Sequence, residues 1–295
     1  MNSGLKHRHP TAMLIAEDST AFPKITAPAE YGGLGFDYKW DLGFMNDTFD
    51  FFRTPPDERP AHYHKLTFSM AYFYNELYLL PFSHDENVHG KATVIQKMWG
   101  DYEDKFKQAR AFYMYVFTHP GKKLNFMGGE IAQFREWDET REQDWDLLKY
   151  PAHDSFHKYI IKLGEIYKSY SSLYDGDYDM ASFKWLIVDK AEQCLYAYER
   201  INGKESAVCC FNFSDKPQKA VLCFDEPFSL KELLNSDWNI YGGTTETPKR
   251  SAAYKSSDFD DKHSVALTLS AFSGRIFIKT KIKDKDKYVL SLIHI

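Results

Sequence analysis

Residues 77–86 read "LYLLPFSHDE". An apolar run of strand length, Leu77 to Pro81, passes almost directly into His84, Asp85 and Glu86, with His89 close behind. Charged groups are costly to bury unpaired, so such a cluster at a strand end needs a use, a partner or water. The same form recurs on both sides. "TAMLIAED" (11–18) reads as a buried strand ending in acids, and "KKLNFMGGE" (122–130) as a third strand ending in Glu130. Helical apolar spacing fills the intervals, in "MNDTFDFFRTP" (45–55) and "HKLTFSMAYFYNE" (64–76). The strongest helix is "YEDKFKQARAFYMYVFTHPG" (102–121), acidic at its start and closed by His119-Pro120-Gly121, and "DSFHKYIIKLGEIYKSYSSL" (154–173) predicts another. Strands alternating with helices imply βαβ units and a parallel sheet.

From about Gly176 the pattern changes. "CLYAYER", "SAVCCFNFS", "KAVLCF" and "SVALTLSAFSGRIFIKT" alternate or run apolar over strand lengths, and Asn202-Gly203 between the first two is a hairpin signal. The expectation is a small antiparallel β domain over residues 176–282, after a boundary near "SLYDGDYD". No internal repeat is visible.

The chain of 295 residues has room for one large domain and a smaller one. Hydrophobic residues at 43% and charged residues at 27% are ordinary for a globular protein, whereas aromatics at 17% are abundant. Aromatics fill cores and also make flat surfaces for sugar rings. A net charge of −5 without a long basic run argues against a nucleic-acid partner. No segment approaches the ~18 apolar residues of a membrane span, and the polar "MNSGLKHRHP" is no signal peptide. Cys209 and Cys210, as strand neighbours, face opposite sides. With no C-x-x-C pair, the cysteines Cys194, Cys209, Cys210 and Cys223 read as reduced core residues, which points to the cytoplasm. His62 and His64, and His84 and His89, lack the helical i,i+4 metal spacing, so no metal site is expected.

Three strands each end in a carboxylate: Glu17, Asp85 and Glu130. In parallel α/β barrels the chemistry sits at the C-terminal ends of the strands, so these acids would converge on one cleft. Paired carboxylates flanking a glycosidic bond are the usual machinery of glycoside cleavage. Strands often run into polar loops, so one terminal acid means little; three in register, one beside a His, carry more. The segment "APAEYGGLGFDYKWDLGF" (27–44) reads as a loop in which Tyr31, Tyr38 and Trp40 accompany Gly32, Gly33 and Gly35. Its composition suits sugar-stacking walls, and equally a glycine-permissive turn with aromatics tucked into the core. No G-K-[ST] follows the glycines, so it is no phosphate loop.

"LIAEDST", "YGGLGFDYKWDLGFMNDT", "LPFSHDENVHGK" and "KKLNFMGGEIAQFREWDETREQDWDLL" closely resemble the C-terminal half of glycogen (1,4-α-glucan) branching enzymes, of the α-amylase superfamily of glycoside hydrolases. The resemblance covers roughly residues 5 to 175 and continues more faintly to "LTLSAFSGRIFI". It implies an α/β plus all-β fold: strands five to eight of a TIM (β/α)8 barrel over 1–175, then a small antiparallel β-sandwich domain over 176–282. It further implies that Glu17 is the general acid/base, that Asp85 stabilises the transition state and that His84 hydrogen-bonds the sugar, with Trp40 and Tyr31 as substrate-binding aromatics. Glu130 receives no chemical role. Asn87 stands where the family often has an apolar residue, and Trp99 where it often has Pro. The substrate implied is an α-1,4-glucan such as glycogen or amylose, with no cofactor. The family's nucleophile, an Asp in a motif like G-F-R-x-D, has no counterpart in these residues. The expectation is therefore a fragment, inactive and poorly soluble alone. The tail 283–295, ending in "LSLIHI", resembles a translated sequencing-adapter artefact. Two other functions stay open: another α-glucan hydrolase of the superfamily, and a non-catalytic glucan-binding protein.

Overall fold

The computed structural model describes residues 1–259 and 261–282; the predicted tail 283–295 lies outside them. Its first part runs α1 (Asn2–Arg8), β1 (Ile15–Ala16), β2 (Tyr38–Trp40), α2 (Leu42–Arg53), β3 (Tyr78–Phe82), α3 (Tyr102–Thr118), β4 (Lys122–Asn125) and α4 (Pro151–Ser169). The four strands form one parallel sheet in sequence order, β1-β2-β3-β4. Parallel neighbours need a crossover to return the chain, and α2 and α3 supply two of the three.

Three expectations need correction. The segment 27–44 is not loop throughout, because Tyr38–Trp40 is the strand β2, too short to show a period of two. The strand expected over 11–18 shrinks to Ile15–Ala16. The helix expected over 64–76 is instead a run of 3-10 turns, Arg59–Leu66, Phe68–Ala71 and Phe73–Asn75. The burial pattern explains that outcome. Tyr63, Leu66 and Ser69 are buried at a spacing of three, which matches the 3-10 period of three and not 3.6.

The second part holds β5 (Phe183–Lys190), β6 (Leu195–Asn202), β7 (Glu205–Asn212), β8 (Gln218–Phe224), β9 (Phe228–Asn235), β10 (Ala253–Lys255), β11 (Ser257–Phe259), β12 (Lys262–Leu269) and β13 (Ser273–Lys281). They make two antiparallel sheets, ordered β10-β9-β13-β7-β6-β5 and β11-β12-β8. The hairpin between β6 and β7 turns on Gly203, whose φ of 57° is the left-handed conformation such a turn requires. Leu222, Leu267 and Leu269 of the small sheet pack with Val208, Cys210 and Phe277 of the large one, so the two sheets enclose a core. Cys210 points into that core, whereas Cys209 points the other way, into the core shared with the helices. Cys223 is exposed, against the expectation of a core cysteine, because it lies on the outward side of an alternating strand.

The helix α3 joins the two parts. Its buried residues, Phe106 and Gln108 through Val116 with Thr118, leave no polar face. Phe112 meets Phe49, Phe52 and Phe82 on one side, and Tyr115 meets Phe211 and Phe213 of the large sheet on the other. Buried arginines tie the same seam. Arg59 donates to the carbonyls of Thr54, Phe52 and Phe213 and to the Gln108 side chain. Arg110 donates to the carbonyl of Ser236 at 2.6 Å, and Arg200 bridges Asp177 and the Thr118 carbonyl.

Candidate active site

The acids named from the sequence all follow the C-terminal ends of the parallel strands. After β3 the chain passes Ser83 in extended conformation and enters a 3-10 turn, His84–Glu86. There His84 Nε2 lies 3.2 Å from Asp85 Oδ1, and Ser83 Oγ lies 3.1 Å from His84 Nδ1. Both side chains remain near half exposed, at 45% and 48%. The imidazole is thereby held at both nitrogens while one side of the pair faces solvent.

That side opens on a cleft of ≈ 720 Å³. Its lining includes His84, Asp85, Arg135, Trp137, Asp138 and Arg141. The Trp137 ring stands edge-on to His84 at 6.1 Å and to Phe126 at 5.5 Å. A wall mixing an indole with carboxylates and guanidiniums suits a polyhydroxylated ligand, which offers C–H faces to the ring and hydroxyls to the charges. The sequence reading assigned no role to Arg135, Trp137 or Arg141. The signal was present in "FREWDETR", where aromatic and charged residues crowd a stretch following a strand and a glycine pair.

The other predicted residues stand apart from this cleft. Glu17 is exposed, directly past β1, and is not among the cleft residues. Register describes the offset. Ala16 pairs with Lys39 and Lys39 with Tyr78, whereas Asp85 comes beyond Phe82 at the far end of a longer strand. Asp85 lies in a turn past the end of β3, two strands across the sheet from the β1 end that Glu17 follows. Tyr31 is 71% exposed in the turn Ala29–Tyr31, so it is not tucked into the core. Trp40, half-buried at the end of β2, lines a separate cleft of ≈ 230 Å³ with Asp18, Lys39, Asp41 and Tyr72. Glu130 sits half-buried in the turn Gly129–Ile131.

Two groups around the smaller cleft were not foreseen. Lys39 is buried and reaches Asp18 Oδ2 at 3.0 Å and the Thr20 carbonyl at 2.9 Å, which pins the loop immediately after Glu17. The hydrogen bond from Lys39, aided by the Thr20 N–H, holds the Asp18 carboxyl below its ordinary range. Asp41 caps α2 through the Phe44 N–H at 2.9 Å and accepts from the Tyr72 hydroxyl at 2.8 Å, yet its Oδ2 has no partner. Burial pushes this carboxyl up to about 6, against the opposing pull of those two donors. Reading β2 as loop concealed it, because a strand end followed by a helix cap was not expected there.

Among the described residues, no group of three or more His, Cys, Asp or Glu is placed to hold a metal ion. No helix among them is long and apolar enough to cross a membrane.

A model of the α-amylase C-terminal all-β domain matches residues 185–279. The chain is 41% identical over 277 residues to the 1,4-α-glucan branching enzyme GlgB of Geobacillus stearothermophilus, covering 92% of this chain and 43% of that one. It is 44% identical over 244 residues to its counterpart in Oceanobacillus iheyensis, covering 80% and 37%. The chain thus spans less than half the length of these curated relatives. Solved structures agree in fold. An α-amylase from Geobacillus thermoleovorans in complex with acarbose superposes with a TM-score of 0.62 at 15% identity, over 96% of this chain and 56% of that one. A debranching enzyme from Nostoc punctiforme gives 0.62 at 16% identity, over 94% and 53%.

Proposed function

We propose, on the premise that this chain is a homologue of the 1,4-α-glucan branching enzymes, that it supplies two reacting groups of such an enzyme, Glu17 and Asp85. The observation that carries this reading is the His84–Asp85 pair, 3.2 Å apart in an open, indole-walled cleft at the C-terminal end of a parallel sheet. The sheet is read as strands five to eight of a (β/α)8 barrel. Its sequential parallel order supports that, and so does the pairing of β1 and β4 on one side only.

The chemistry follows from the groups. Asp85, half exposed beside His84, stabilises the positive charge that develops at the anomeric carbon of an α-1,4-glucan. His84, with Nδ1 held by Ser83, donates its Nε2–H to a sugar hydroxyl that takes the place of Asp85 Oδ1 when glucan binds. Glu17 protonates the departing glycosidic oxygen and then takes the proton of an incoming glucan 6-hydroxyl, which exchanges an α-1,4 bond for an α-1,6 branch. Retention of configuration requires a carboxylate nucleophile as well, and no residue of this chain is assigned that role. Transfer is preferred to hydrolysis because relatives near 40% identity are named as branching enzymes, whereas the amylase likeness at 15% concerns fold alone.

A chimera tests this directly. Residues 5–282 replace the matching segment of the Geobacillus stearothermophilus enzyme, and amylose products are followed by proton NMR. New α-1,6 anomeric signals are expected without a rise in reducing ends, reduced at least ~10³-fold by Glu17→Gln or Asp85→Asn, the scale of losing a reacting group. A folded chimera that branches unchanged with either substitution sinks the assignment, and a rise in reducing ends alone would make it a hydrolase.

A further inference from the structure

The loop that carries Asp85 is held in a costly conformation. His89 and Ala92, both lacking the freedom of glycine, have φ of 58° and 67°, and Gly90 between them has 79°. Left-handed backbone is costly for a non-glycine residue, so two such residues within four positions persist only if something fixes them. Two side chains from outside the loop do so, and both act on Ala92. The carboxylate of Glu136 accepts from the N–H of Gly90 at 2.9 Å and from that of Ala92 at 2.7 Å. The ammonium of Lys97 donates to the carbonyl of Ala92 and, across the loop, to the carbonyl of Glu86. Ala92 is therefore gripped at both its N–H and its C=O, and the second Lys97 bond falls on the residue directly after Asp85.

Lys97 is an unusual group to find here. It is 2% exposed and lies over the Phe49 ring at 4.9 Å, and its hydrogen bonds go to backbone carbonyls and not to a carboxylate. Burial pushes its ammonium down to about 8. A methionine could fill the same apolar channel without that desolvation cost, so the charge is accounted for by the two carbonyls it organises. Glu136 is likewise held below the ordinary carboxylate range, first by the Gly90 N–H and then by that of Ala92. Asn87, where the resemblance leads one to expect an apolar side chain, adds a local pin, donating to the Ser83 carbonyl at 2.7 Å and accepting from the Val94 N–H at 3.2 Å.

We propose that Lys97 and Glu136 are positioning residues that clamp the 86–92 loop and thereby hold Asp85 and His84 at the cleft mouth. Lys97, buried and outside the cleft lining, acts only through the loop, whereas Glu136 grips the loop from the cleft wall. The proposal rests on the reading of Asp85 as part of a glucan site, and a double-mutant cycle separates the two. Maltoheptaose affinity is measured by titration calorimetry on the 295-residue chain and on Asp85→Asn, Lys97→Met and the double variant, with amide exchange at Gly90 and Ala92 followed alongside. Each single substitution is expected to weaken binding about tenfold. The double variant is expected to stay near tenfold and not reach a hundredfold, because coupled residues are not additive. Exchange at Gly90 and Ala92 should rise at least about tenfold in Lys97→Met, with Val208 and Leu222 in the β core unchanged. Glu136→Gln is expected to repeat this pattern, so a Lys97→Met chain that fails to fold leaves the test standing. Additive losses, or loosened amides with unchanged affinity while Asp85→Asn weakens it, overturn the clamp. Absence of binding, or no effect of Asp85→Asn, overturns the glucan reading of the cleft and the proposal with it.

Discussion

The two sheets of this molecule are stabilised in different ways. The parallel strands β1 to β4 hold 2, 3, 5 and 4 residues. Those of the antiparallel part hold 7 to 9, apart from β10 and β11. Short strands make few ladder bonds, so the parallel sheet takes its order from elsewhere. It takes it from α3 and the aromatic core that α3 shares with the outer face of the large antiparallel sheet. The antiparallel part also packs on itself, through the core between its two sheets. One region leans on its neighbour, and the other has a core of its own besides.

This asymmetry breaks first at Arg59. Its guanidinium is fully buried, satisfies carbonyls of both regions and lies 5.3–5.7 Å from the rings of Phe51, Phe52 and Phe272. Arg59→Met leaves those carbonyls without donors, and a loss of about 3–5 kcal/mol is expected in urea unfolding. Amide exchange should loosen the parallel region more than the β core. Leu222→Ala is the contrast, costing about 2–4 kcal/mol through a cavity confined to the sandwich. If Arg59→Met instead opens both regions equally, the parallel part does not depend on the seam in the way described.

How much of this was visible in the sequence follows from the same difference. Five long antiparallel strands, β6, β7, β8, β12 and β13, lie in segments legible as strands because they alternate, as β8 does, or run apolar, as β7 does, with the hairpin at Gly203; β5 and β9 were not read. A three-residue strand such as β2 cannot display a period, so it passed for loop, and with it went Asp41 and the second cleft. The aromatic run after Arg59 has apolar residues on every side, so a helical period was read where a period of three was built. The acids at the strand ends were legible because each follows an apolar run. Their surroundings were not. Trp137, Arg135, Lys97 and Glu136 reach the Asp85 loop from segments that only the fold brings beside it.

The buried Asp41 offers a sharper probe of the parallel region. Its folded-state value of about 6 lies above the ordinary 3.8, so its contribution to stability is complete below about pH 3.8 and is lost as pH rises through 6. The difference corresponds to about 3 kcal/mol at neutral pH. His119, buried against Phe44, runs the other way: burial lowers it to about 3, so its contribution is present above pH 6.5 and is lost as pH falls toward 3. The two slopes oppose each other between about pH 4 and 6. Asp41→Asn keeps the cap acceptor and removes the charge. Relative to the unaltered chain it should gain little at pH 4 and about 2–3 kcal/mol at pH 7.5, measured by urea unfolding across that range. A gain that does not change with pH would mean that Asp41 is not ionising where its burial implies.

The smallest expected effect falls on the element common to both regions. Asp101 caps α3 by accepting from the Asp104 N–H at 3.0 Å, in an exposed bond. Removing such a cap costs about 1 kcal/mol where a helix depends on its ends. Helix α3 depends far more on burial around its circumference, since most helical stability in proteins comes from packing. Asp101→Ala should therefore cost about 1 kcal/mol or less and fray only the first turn, so exchange quickens at Glu103 and Asp104 and stays slow from Phe112 to Val116. A larger loss, spread along the helix and felt in both regions, would show that α3 is marginal. The seam would then rest on local helix propensity, and the dependence of the parallel sheet on its neighbour would be weaker than the shared aromatic core implies.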